Sequence, residues 1–187
     1  VVERLRSLPT PRSAIDQAMA DVQSRIQYAS GTTSVSTTAH EAWESGTGVC
    51  QDFTHAMISL LRAVGIPARY VSGYLYPKEG EIGESVTGES HAWVEAWDGG
   101  WWACDPTNGS DVAERHTAVA RGRDYSDVSP LKGIYSGGDS EELGRSVEGL
   151  TVSGEITFPP LVAIDPSDAR GPVSLTRGTD RWLVGFN

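Results

Sequence analysis

The chain has 187 residues, 39% of them hydrophobic with six Trp, enough for one domain core with an appended tail. Its formal charge of −10 argues against nucleic acid or an anionic membrane as partner, because both demand a basic face. No apolar run nears the roughly 18 residues of a membrane span, and Val1 opens no signal-peptide pattern.

Residues 1–12 read as an undirected lead-in ending Pro9-Thr10-Pro11. Ser13 and Asp16 have the spacing of a capping signal, and Ile15, Ala18, Met19, Val22 and Ile26 form a helical stripe, predicting a helix to about Tyr28. Residues 30–37 read as loop or extended chain. Thr38 and Glu41 form a capping box for a short helix ending at Gly46.

The next segment dominates the chain. Phe53, Ala56, Met57, Leu60, Leu61 and Val64 follow helical spacing, Gly65 suits a left-handed C-cap, and Pro67 blocks continuation. Cys50 precedes Phe53 by three residues, which sets it on the same stripe in the first turn. Unpaired N–H groups and the helix dipole there favour a nucleophilic thiolate. Gly46 and Gly48 keep the approach bare. A lone cysteine is more often inert core, so Cys50 needs support from elsewhere.

After Pro67 the period becomes two. Arg69–Tyr76 has strand composition. Pro77–Glu89 reads as a mobile loop beside the site. Ser90–Trp97 and Trp101–Asp105 read as strands joined at Asp98-Gly99-Gly100, and Pro106–Gly109 as a turn. Thr117–Ala120 suggests a strand, Arg121–Pro130 a polar loop, Lys132–Gly138 a short strand and turn, and Val147–Phe158 edge strands. Beyond Pro159-Pro160 only Trp182-Leu183-Val184 is apolar.

A nucleophilic cysteine needs a base, and the base an orienting group. Of four histidines, His55 points off the Cys50 face, His40 begins a short helix, and His116 falls in a polar loop. His91 sits on a strand, sharing a face with Trp93, Glu95 and Trp97. Hairpin parity decides whether Asp105 can reach it. A two-residue turn pairs Trp97 with Gly100 and puts Asp105 on the wrong side. A three-residue loop pairs Trp97 with Trp101, with Gly100 left-handed, and brings Asp105 diagonal to His91, about 7–8 Å away at Cα. Cys50 would then attack a carbonyl carbon, His91 would shuttle the proton, and Asp105 would orient the ring. The backbone N–H of Cys50 is an oxyanion donor in this scheme; Trp43 and Gln51 are further oxyanion or substrate-contact candidates.

These segments resemble the core of the transglutaminase-like superfamily. Gly48-Val49-Cys50-Gln51-Asp52-Phe53 through Tyr74 is similar to its nucleophile segment, His91-Ala92-Trp93-Val94-Glu95 to its histidine strand, and Asp105-Pro106-Thr107-Asn108 to its aspartate end. Gly122-Arg123-Asp124-Tyr125 resembles a loop of bacterial members. The resemblance covers about residues 10–140. It implies an α+β, papain-like fold with the nucleophile helix packed on an antiparallel sheet, and the triad Cys50, His91 and Asp105.

We take residues 10–150 as the core domain and 151–187 as a C-terminal extension with an edge strand and irregular tail. The expected function is thiol acyl transfer on peptide or protein amides through a thioester, as a cysteine peptidase or amidase. A cross-linking glutamine transferase and a non-catalytic binding domain are the alternatives. Metal or redox chemistry would need a second soft ligand near Cys50. Cys104 should face away, so neither metal nor cofactor is expected. Two cysteines make no disulfide framework, and free thiols fit a reducing, cytoplasmic compartment.

Overall fold

The computed structural model describes residues 1–76 and 85–129, together with the strands Val147–Leu150, Leu175–Gly178 and Arg181–Val184. Its first element, helix α1 (Val2–Arg6), falls in the segment read as lead-in. Five residues are too few to print a period, yet Leu5 is buried and anchors the turn. Helix α2 (Pro11–Arg25) starts earlier than the Ser13 signal suggests: Thr10 is the N-cap, its hydroxyl and that of Ser13 closing a reciprocal box, with Pro11 at the first position. It also stops earlier. Ile26 turns extended, and strand β1 (Gln27–Tyr28) follows in place of the last predicted turn.

Helix α3 (Ala39–Ser45) has the Thr38–Glu41 box and ends at Gly46 with φ 70°. Strand β2 (Thr47–Gly48) pairs parallel to β1, with Gln27 N–H donating to Gly46 O and Ala29 N–H to Gly48 O, both at 2.9 Å. Helix α4 (Cys50–Ala63) then carries the cysteine in its first turn. Phe53, Ala56, Met57 and Leu61 are buried as the stripe requires, Ile58 joins them, and Leu60 and Val64 pack at the margin. Burial of each large side chain contributes about 1.5–3 kcal/mol. Gly65 has φ 84° and lets the chain leave for the sheet.

The sheet contains β3 (Ala68–Leu75), β4 (Ser85–Trp97), β5 (Trp101–Asp105), β6 (Ser110–Asp111) and β7 (His116–Gly122), in the order β6-β5-β4-β3-β7. Neighbours along that order are antiparallel. Strand β4 begins at Ser85, inside the stretch read as loop; residues 77–84 of that stretch lie outside the described residues. The short helix α5 (Tyr125–Val128) interrupts the predicted polar loop, with the Asp124 side chain capping it at Ser126 N–H.

Strand β8 (Val147–Leu150) also pairs with β4. The backbone divides into two units, Val1–Glu79 with Val86–Gly149 and Gly80–Ser85 with Leu150–Asn187. Within the second, β9 (Leu175–Gly178) and β10 (Arg181–Val184) form an antiparallel pair. The readings for Lys132–Gly138 and 151–158 fall outside the described residues. Among those described, no helix is long and apolar enough to cross a membrane.

The core lies between the helices and the sheet: Ile15, Ala18 and Val22 of α2 and the inner face of α4 meet Tyr70, Val94 and Ala96. It places the start of α4 against the middle of β4.

Candidate active site

Val49 offers no side-chain acceptor at the α4 N-cap. Asp52, fully buried, reaches back instead: its Oδ2 accepts from Val49 N–H at 2.8 Å and from the Thr33 hydroxyl at 2.6 Å. This is the returning half of a capping box, and it fixes the peptide that delivers Cys50. A Cβ on Gly48 would come within 2.6 Å of Asp52 Cβ, so this close approach requires glycine. Cys50 itself is half-buried.

On the sheet, Trp97 pairs with Trp101 and Val94 with Cys104, the register of a three-residue loop. The left-handed glycine in it is Gly99, φ 111°, and not Gly100. Asp98 N–H closes on Gly100 O at 3.1 Å, which leaves the positive φ to the middle residue. The parity argument itself holds. His91 Nε2 lies 2.7 Å from Asp105 Oδ2, with the His91 side chain 8% exposed and that of Asp105 fully buried. The Cys50 sulfur is also close enough to the His91 ring to favour its charged form.

Asp105 is saturated with donors. Oδ1 accepts from the N–H groups of Thr107 (3.0 Å) and Asn108 (3.2 Å); Oδ2 accepts from His91, Asn108 Nδ2 (2.7 Å) and His116 Nε2 (3.1 Å). Burial works against its charge, but the bonds from His116, His91 and Asn108 outweigh it and hold the carboxyl well below the usual range. For His91, burial pushes the ring down, yet the bond to Asp105 and the nearby Cys50 sulfur prevail and raise it to about 9.

The sequence context puts His116 in a polar loop, but it is the first residue of β7 and its side chain turns into the site. Strand order shows why the sequence concealed it. Residues 112–115 carry the chain from the β6 edge to the β7 edge, bringing a residue eleven positions from Asp105 back to it. Asn108 and Asp52 were also missed as site residues. The Asp-x-x-Asn turn and the third helical position were the signals available for them.

Gln51 is buried, and its amide donates to Ser34 O at 2.6 Å, tying the 30–37 loop to α4. Trp43 is half-buried on α3, packed against the core. His55 accepts from Tyr125 N–H at 3.2 Å, away from the cysteine. Cys104 is 1% exposed, and burial pushes its thiol up to about 12. Among the described residues, His91, Asp105 and His116 bring ligand-type atoms within 4.8 Å of one another. The same three are joined by hydrogen bonds at Asp105 Oδ2.

A family model for the transglutaminase-like superfamily matches residues 1–106. With this fold, the chain belongs to that superfamily. It is 47% identical over 149 residues to an uncharacterized protein of Mycobacterium leprae, covering 79% of this chain and 53% of the relative. A protein-glutamine gamma-glutamyltransferase of Pseudomonas aeruginosa is 39% identical over 70 residues, 35% of this chain and 10% of that protein. A solved structure of a candidate cysteine protease from Cytophaga hutchinsonii superposes with a TM-score of 0.60 at 27% identity, covering 81% of this chain and 49% of that one. The chain spans about half the length of the curated Mycobacterium relatives it matches.

Proposed function

We propose that the chain performs thiol acyl transfer on peptide or protein amides, with Cys50 as nucleophile, His91 as acid–base group and Asp105 as its orienting anion. The observation that carries this is the 2.7 Å bond between His91 Nε2 and Asp105 Oδ2, with the Cys50 sulfur near enough to the same ring to raise it. His91 takes the thiol proton, and sulfur bonds to the carbonyl carbon as the C=O electrons move to oxygen. The Cys50 backbone N–H, in the turn without intrahelical acceptors, faces that developing charge. When the oxyanion collapses, the C–N bond breaks and His91 returns its proton to the leaving amine. Water then attacks the thioester, giving its proton to His91, and the carboxylic acid leaves as the thiol is restored. A peptidase or amidase is the reading preferred. The Pseudomonas relative favours a second acceptor, a primary amine, through the same thioester.

Iodoacetamide labelling at mildly acidic pH tests the first half of this scheme. Cys50 reacts well ahead of Cys104, whose thiol is pushed up to about 12, and His91→Ala slows Cys50 by at least about a hundredfold. Slow, equal labelling of the two thiols sinks the proposal in favour of a binding domain. A glutamine peptide supplied with and without a primary amine then separates the acceptors: ammonia release without amine incorporation marks hydrolysis.

A further inference from the structure

We propose that His116 is a positioning residue for this reaction, a second imidazole that braces Asp105 as a neutral donor. The inference rests on the acyl-transfer reading of Cys50, His91 and Asp105. Its first support is geometric: His116 Nε2 lies 3.1 Å from Asp105 Oδ2, the oxygen His91 meets at 2.7 Å. The two side chains are almost equally sealed, 6% and 8% exposed.

The second support is the bond on the far nitrogen. Ala113 N–H points at His116 Nδ1 at 3.3 Å. A backbone amide can only donate, so Nδ1 carries no proton and the ring proton is on Nε2, directed at Asp105. Ala113 also accepts from His116 N–H at 2.9 Å, so the turn grips the residue at backbone and ring. Trp93, 1% exposed, packs edge-to-face on the imidazole with centroids 5.3 Å apart. The ring has little freedom to turn.

A neutral donor does what a cation in that place would undo. It spreads the charge of Oδ2 and fixes the carboxylate plane, yet leaves a full negative charge for the imidazolium that forms on His91. The titratable groups meeting the His116 ring are Asp105 from β5 and His91 from β4; neighbouring Arg115 turns its Nε to Tyr76 O at 2.7 Å. Without the His116 bond, Asp105 would lean harder on His91, holding its proton more tightly and slowing delivery to the leaving amine.

The test uses the full chain with histidines labelled in nitrogen-15. In the unsubstituted protein at neutral pH, His116 shows a protonated Nε2 and a bare Nδ1. In His116→Leu the His91 titration moves upward and kcat on a reporter amide falls about tenfold with KM little changed, the size of one lost hydrogen bond. His116→Gln, which keeps an N–H donor, recovers most of both. A packing residue would alter stability and leave the His91 titration in place. A protonated Nδ1 on His116, or a folded His116→Leu with an unmoved His91 titration, overturns the brace. Fast, His91-dependent labelling of Cys50 beside either result overturns the brace alone. Slow labelling independent of His91 removes the acyl-transfer reading, while the tautomer still reports on His116.

Discussion

Replacing Asp105 by Asn removes one charge and little volume, so it probes what the carboxylate does for His91. The rise of His91 from 6.5 to about 9 favours its imidazolium by about 3 kcal/mol. The side chain is 8% exposed, so solvent screening takes little from that figure. Burial opposes the charge and persists in Asp105→Asn, whereas the carboxylate that most favours it is gone. His91 should therefore titrate clearly lower, and Cys50 labelling near neutral pH should slow between about 10² and 10⁴-fold. The sign for stability follows from a raised value: the contribution of His91 is complete below 6.5 and is lost as pH climbs through about 9. Urea unfolding of the unsubstituted protein should weaken across that window, and the Asp105→Asn curve should be flatter. Proton NMR of the His91 ring gives the direct reading. A folded Asp105→Asn protein whose His91 still titrates near 9 would refute the reasoning.

Two further outcomes rest on packing. A Cβ on Gly73 would stand 2.1 Å from Thr117 O and 2.6 Å from the Trp93 ring; Gly73→Ala should cost about 2–3 kcal/mol, and an unchanged urea midpoint would count against the close approach. Glu95, 6% exposed, accepts from Arg69 Nε at 2.6 Å and Arg121 Nε at 2.9 Å. Glu95→Gln should lose about 1–2 kcal/mol, reduced by the partial exposure of both arginines, and the loss should shrink in high salt. A salt-independent loss would point to shape and not charge.

Local rules carried much of this architecture. The α4 stripe was legible because six apolar positions repeat along one face; the His91–Asp105 pairing was permitted by a three-residue loop, and the choice between that loop and a two-residue one came from the strand register. Where competing local signals met, the reading slipped: Pro11 at the first turn of α2 outweighs the Ser13 pattern, and the parallel ladder ends that helix at Arg25. His116 was illegible for a different reason. Its partner is supplied by a chain crossing between sheet edges, and neither period nor spacing encodes where such a crossing lands.

The β1–β2 ladder has a consequence for where the nucleophile gets its address. Gln27 and Ala29 moor the peptide just upstream of Cys50 at two carbonyls, although only two residues on each side take part. The sulfur is thus surveyed in from the N-terminal half of the chain, while its acid–base partners are surveyed in from the sheet. An excised fragment beginning at Gly46 would retain the reactive atom but not its bearings, so the smallest unit that holds all three groups in place must include β1.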